Sequence, residues 1–237
     1  MRPKQNLRLR LCVGGAAVCM FLPAVAPAQM SPRVTAKEVT PGEQALLPDW
    51  CIDSQDGPFG SPEGSDGLNR SPRARQWVSL MGADFWHMHH YCRGLRDLVR
   101  LKGSVLTPTE RTYLLGRAIN EFDYVLKICQ PTMPLLPEVL LRRGESQTQM
   151  GDLVGAIDSF HGALKLKPDY WPASDRLLGV LIGLKQYDRA RALADEALAA
   201  SPGEPSLLAR RQAIGAAVSQ PHKPAPRQAA KGGSAPR

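Results

Sequence analysis

The motifs that usually announce a catalyst are missing from this chain. HExxH, a paired CxxC and CxxCH do not occur, so helical zinc pairs, paired zinc knuckles and covalent haem attachment are not encoded. GxSxG, GxGxxG and GxxxxGKS/T are absent as well, which removes the serine elbow and the phosphate-cradling loops. The acids Asp56, Glu63 and Asp66 lie in solvated, Gly- and Pro-rich sequence, unsuited to holding a reactive geometry. No catalytic residues and no cofactor are expected. Long apolar runs are also missing: Leu11–Val25 is the one candidate, and it falls short of the roughly 20 residues a bilayer span needs.

That run sits in a telling order. Arg2, Lys4, Arg8 and Arg10 precede it with no acid among them, and Ala26-Pro27-Ala28 follows with small residues. Basic, apolar, small is the layout of a secretory signal, so residues 1–28 are expected to be cleaved after Ala28, delivering a periplasmic or secreted protein with no stable membrane span.

The formal net charge of +8 does not amount to a nucleic-acid footprint. Four basic residues belong to the leader, and Lys223, Arg227, Lys231 and Arg237 belong to an acid-free tail. Setting these eight aside leaves 22 basic against 22 acidic residues in the middle. The folded part is neutral, and no nucleic-acid partner is expected.

Residues 29–76 are rich in Pro, Gly, Ser and charge and read as an irregular segment, with Leu46, Leu47, Trp50, Ile52 and Phe59 as docking points. From 77 to 218 apolar residues recur at three- and four-residue spacing with few breakers, which predicts helices over 77–101, 108–128, 135–150, 153–166, 171–184, 187–200 and 205–217. Thr107-Pro-Thr-Glu110 is a capping-box pattern opening the second of them. Residues 219–237 lack large apolar side chains and read as a disordered basic tail.

An internal repeat runs through the helices. Ala156, Ala163 and Pro168 recur as Ala190, Ala197 and Pro202, each shifted by 34 residues. AINEFDYVLK at 118–127 aligns with AIDSFHGALK at 156–165 at a shift of 38, the excess falling in a Pro-rich connection. Together with Gly144 in a first helix, Gly151 at a turn and Phe160 in a second helix, this pattern resembles the tetratricopeptide repeat. The best units are 137–170 and 171–204, with a degenerate unit over 77–134 and a closing helix over 205–218. The degenerate unit keeps Ala118 and Phe122, but its first helix does not match at family spacing. The next unit places Ala194 where the family favours an aromatic, and Leu177-Leu178 where it favours Leu-Gly.

The resemblance implies an all-α fold: a short solenoid of antiparallel helix pairs with an irregular N-terminal segment and a disordered tail. Gly144, Ala156, Phe160, Ala163, Pro168, Ala190, Ala197 and Pro202 are its packing residues. It also implies a concave groove for a protein or peptide partner. Mapped on that pattern, the groove residues are Glu138, Leu141, Glu145, Thr148 and Gln149 in one unit, and Pro172, Asp175, Gly179, Ile182 and Gly183 in the next. The groove so composed is acidic to neutral and suits a basic or apolar peptide. Leu141 and Glu145 stand where Lys and Asn would hold a terminal carboxylate, so that binding mode is not expected. The function this implies is an exported, non-enzymatic scaffold or adaptor in envelope assembly or secretion.

A second reading starts from FWHMHHYC, Phe85–Cys92, which holds three of the five histidines. On one continuous helix His87 and His90 share a face. Two such imidazoles hold zinc or copper only when a third ligand arrives from elsewhere. That alternative is a small metal or redox protein. The packing reading, with Trp86, Tyr91 and Leu95 on a buried face, outweighs it, and no metal site is expected. Cleavage would leave Cys51, Cys92 and Cys129, for which three pairings or three free thiols stay open. Cys51–Cys92 is the preferred bridge, because the segment around Cys51 has few core formers and gains most from being tied down.

Overall fold

Helix punctuation in the sequence sets most of the architecture. In the computed structural model, residues 30–54, 72–103 and 105–219 are described. The expected leader with its cleavage point, Phe59 and the tail beyond Ser219 lie outside them. The chain divides into two units, Met1–Met30 and Ser31–Arg237, and every described helix lies in the second. The helices are α1 (Pro32–Thr35), α2 (Pro41–Gln44), α3 (Pro72–Met81), α4 (Met88–Gly103), α5 (Pro108–Ile128), α6 (Leu136–Met150), α7 (Leu153–Leu166), α8 (Trp171–Gly183), α9 (Tyr187–Ala200) and α10 (Pro205–Ser219). No strand occurs among the described residues.

Consecutive helices α4 to α10 pack as sequence-adjacent pairs, giving an all-α, tetratricopeptide-like solenoid closed by α10. The capping box of α5 is complete. Thr107 Oγ1 accepts from the Glu110 N–H at 3.2 Å, and Glu110 Oε2 accepts from the Thr107 N–H at 2.9 Å. Gly151 ends α6 at φ +83°, a left-handed turn that glycine adopts without strain, and Asp152 then caps α7 through the Gly155 N–H. Pro168 and Pro202 follow α7 and α9 by two residues and bar further helix.

One predicted helix, 77–101, is broken in the structure. It begins earlier, at Pro72, stops at Met81, and resumes at Met88 after a 3-10 turn over Ala83–His87. The cause is Gly82, which sits at φ +82° and turns the chain. Periodicity missed the break because burial continues across it: Ala74, Phe85, Met88, Tyr91 and Cys92 all face the core.

At the centre of each pair, small and large residues interlock. Gly144 lies against the ring of Phe160, and an added Cβ would come within 2.5 Å of it. Ala156, Phe160, Ala163, Ala190 and Ala197 are buried in one core cluster, with Ala173, Leu177 and Leu178 from α8. Pro168 and Pro202 are exposed, as helix stops rather than packing residues. A second cluster joins Phe85, Met88 and Tyr91 to Ala118, Phe122 and Val125 of α5.

The N-terminal arm, 31–54, is docked on α4 and α5. Cys51 and Cys92 form a disulfide with Cα atoms 5.7 Å apart, and Cys129 is free and buried. Leu47 and Cys51 are buried beside it with Trp50 against them, whereas Leu46 and Ile52 are exposed and do not dock. Arginines hold the arm's backbone. Arg100 donates to the carbonyls of Ala36 and Glu38 at 2.6 and 2.7 Å, Arg96 to Lys37 at 2.7 Å, and Arg117 to Val34 at 3.3 Å. Arg100 also pairs with the buried Glu43 carboxylate at 2.7 Å, and Asp97 anchors Arg96 and Arg117 from below. Burying these charges is tolerable because each guanidinium spends its donors on a carboxylate or carbonyl.

Candidate binding groove

The first helices of successive pairs share one face, and a cavity of about 650 Å³ opens along it. Lys102 of α4, Arg142 and Glu145 of α6, Arg176 and Gly179 of α8, and Arg210 of α10 line it, over a floor of Leu153, Phe160 and Val180. Gly179 leaves room there: a Cβ on it would meet the Arg210 guanidinium at 3.3 Å.

The polar groups form one alternating chain. Arg142 donates to Glu138 at 2.7 Å and to Glu145 at 3.0 Å. Arg176 donates to Glu145 at 2.7 Å and to Asp175 at 2.9 Å, and Arg210 donates to Asp175 at 2.9 and 3.4 Å. Glu138 further accepts from the hydroxyls of Tyr91, at 3.3 Å, and Tyr170. Burial raises both phenols well above their ordinary pKa, with Glu138 pushing in the same direction. For Arg142 burial acts downward, but Glu138 and Glu145 more than offset it and keep the guanidinium firmly charged.

Charge is layered in this chain. The side chains of Arg142, Arg176 and Arg210 are 36, 51 and 36% exposed, against 26, 17 and 8% for Glu138, Glu145 and Asp175. The cations form the solvent side and the carboxylates lie beneath. The expected acidic-to-neutral groove is therefore corrected: its surface is cationic, with the exposed Lys102 adding to it.

The residues expected in the groove divide accordingly. Glu145, Thr148, Gln149, Gly179 and Gly183 line it, with Gln149 accepting from Arg111 at 3.0 Å. Glu138 is in the ladder but not in the lining. Pro172 is half-buried outside the lining, and Ile182 is half-buried against the core. Leu141 is not a groove residue, because it is buried in the core beside α8. Asp175 stands 34 residues further on and is buried in the same way, so this repeat position faces the neighbouring helix rather than solvent. Arg142, Arg176 and Arg210 are not among the residues that the repeat pattern assigns to the groove. Arg142 was findable as the i+4 partner of Glu138, and Arg210 because it follows Asp175 by almost one repeat.

The histidines lie near one another but are each engaged in packing, with the His89 and His90 rings 4.2 Å apart and His87 and His90 both against Tyr124. His89 is buried, with its Nδ1–H donating to the Trp86 carbonyl at 2.8 Å. His90 pairs with Glu121 and stacks on the Tyr124 ring at 3.7 Å, while His87 lies 3.5 Å from the Tyr124 hydroxyl. Cys92 is consumed by its disulfide. Among the described residues, no group of three or more His, Cys, Asp or Glu is arranged to hold a metal ion.

Comparison with known proteins agrees with the geometry. A tetratricopeptide repeat family model matches residues 147–213, from the last turn of α6 into α10. No curated protein matches the chain.

Proposed function

We propose that this tetratricopeptide-containing chain is an exported, non-enzymatic interaction module whose groove takes a segment of a partner protein, as a scaffold or adaptor in envelope assembly or secretion. The observation that carries the binding reading is the coincidence of the repeat match with the groove: α8 and α10, which supply Arg176, Gly179, Val180 and Arg210, lie within it or extend just past it. Arrays of such helix pairs act by surface recognition, and a concave face with apolar floor and polar rim is what an extended segment requires. Export is supported by the basic, apolar, small order of residues 1–28 and by the Cys51–Cys92 bridge, which persists in oxidising compartments.

The test is photo-crosslinking from single groove positions, Thr148 and Gly183, in the native compartment, with the outward-facing Val154 as control. One protein should be captured from the groove positions and not from Val154. Equal capture from all three, or none, would reject the groove. Mass spectrometry of the mature chain should find Gln29 at its N-terminus; retention of Met1 would reject cleavage.

A further inference from the structure

We propose that the groove's occupant is an acidic segment bound in extended form, with carboxylates spaced about three residues apart meeting Arg142, Arg176 and Arg210. This rests on the groove reading above and specifies its partner. Three observations carry it. The first is the layering: the guanidiniums are more exposed than the carboxylates they pair with, so an approaching chain meets positive charge first. The second is unspent donor capacity. Arg176 Nη2 and Arg210 Nη1 have no hydrogen-bond partner among the described residues, and Lys102 is in no ion pair among them. Ladder carboxylates, by contrast, each accept from two donors or more. A site with surplus donors and committed acceptors favours a ligand rich in acceptors.

The third observation is internal. This chain already holds an acid-bearing segment of its own with a row of arginines: Arg96, Arg100 and Arg117 take the carbonyls of Val34, Ala36, Lys37 and Glu38, in α1 and the connection after it, and Arg100 takes the Glu43 carboxylate of α2. The groove repeats that chemistry with its row left open to solvent. Spacing follows from the helices. α6, α8 and α10 pack side by side, at roughly 8–10 Å between axes. An extended chain covers that step in about three residues at ~3.3 Å each.

The experiment is fluorescence anisotropy on the mature chain with an amidated peptide of about twelve residues carrying Glu at every third position among Ser and Leu. Amidation leaves side-chain carboxylates as its only acids. Controls are the same peptide with Lys for Glu, and a single-stranded oligothymidylate of similar length. The acidic peptide should bind, weaken as salt rises, and lose about tenfold or more in affinity with Arg176→Glu. Lys102→Glu, which breaks no ion pair, should lose severalfold with circular dichroism unchanged. Tighter binding of the Lys peptide or the oligothymidylate, indifference to both substitutions, or no binding of any probe overturns the proposal. Should the crosslinked partner enter by a neutral or basic segment, the charge inference fails alone. Should no groove position capture a partner, the groove reading fails with it.

Discussion

Gly94 of α4 lies against the ring of Phe122 of α5, where an added Cβ would come within 2.4 Å of Cε1. This is the crossing that Gly144 and Phe160 make in the next pair, at 2.5 Å. α4 and α5 therefore pair through the same kind of crossing as α6 and α7, with longer helices and a longer loop between the crossing residues. Phe122 is fully buried and has nowhere to retreat. Gly94→Ala should destabilise the protein by about 1–3 kcal/mol through overpacking. Gly116→Ala, inside α5 but with nothing within 4 Å of the added Cβ, should instead stabilise by about 0.5–1 kcal/mol by helix propensity. Chemical denaturation of the two variants reads the contrast, and equal signs would refute the close-packed crossing.

One repeat further on, the same crossing has exchanged its volumes. Leu178 and Ala194 stand 34 residues after Gly144 and Phe160, and both are fully buried in one cluster. The bulk has moved from the second helix to the first. Leu178→Gly alone should cost at least the roughly 2–5 kcal/mol of a large-to-small core change, and Ala194→Phe alone about 1–3 kcal/mol. The double variant should be less destabilised than the sum by about 0.5–3 kcal/mol, because one change fills the space the other leaves. Strict additivity in a double-mutant cycle would show that the two sites do not share a crossing.

This exchange explains what was legible in the sequence. Ala156, Ala163 and their partners at 190 and 197 could be found by shift alone, since small residues at helix crossings keep their register. The α4–α5 pair was obscured because its crossing survives while the length between its crossing residues does not. The Gly82 break was invisible to periodicity, as one backbone angle changes without interrupting the apolar pattern. The charge of the groove surface differs from the acidic-to-neutral expectation for a physical reason. Composition gives the acids and bases of a helix, not which of them lies on top. Here Arg142 and Arg176 reach over Glu145 because their longer side chains carry the charge outward while the stems pack.

The arm's disulfide can be tested directly. Cys51 and Cys92 are 41 residues apart, and closing such a loop stabilises by up to about 4 kcal/mol on the chain-entropy model. Cys51→Ser with Cys92→Ser should lower stability by that order, and reductant should have the same effect on the native chain and none on the double variant. Peptide mapping under native, non-reducing conditions should find Cys51 and Cys92 linked. Ready alkylation of both would reject the bridge.

Arg100 of α4 is buried against Glu43 of α2. Glu43→Ala would leave that guanidinium with backbone carbonyls alone, and the cost should be about 3–5 kcal/mol, as for an uncompensated buried charge. Asp195→Ala breaks a pair of similar length with Arg211, in which both side chains are well exposed, and should cost no more than about 1 kcal/mol. The ratio of the two losses, from parallel urea titrations, separates burial from mere pairing. Comparable losses would mean the arm is not docked as described.

Acid should weaken the protein in two steps with different owners. Burial lowers the His89 pKa from 6.5 to about 4, with the charges of His90 and Arg93 acting in the same direction. Between those values the unfolded chain binds a proton that the native chain refuses, so stability falls as pH drops from 6.5 towards 4. The loss should come to about 2 kcal/mol after allowance for solvent screening. Glu110 belongs to the second step. Hydrogen bonds from the backbone N–H groups of Ser31 and Thr107 lower its pKa from 4.5 to about 2. Its contribution is complete above 4.5 and is lost as pH falls through 2, loosening the arm from the start of α5. His89→Leu should therefore flatten the urea midpoint between pH 6.5 and 4.5 while leaving the fall below 4.5 intact, and Glu110→Gln should keep the first fall and reduce the second, which it shares with Glu43, where burial acts upward but Arg100 and the Thr40 N–H more than offset it. A midpoint for the unsubstituted chain that does not move between pH 7 and 5 would show that His89 is not held neutral by the fold.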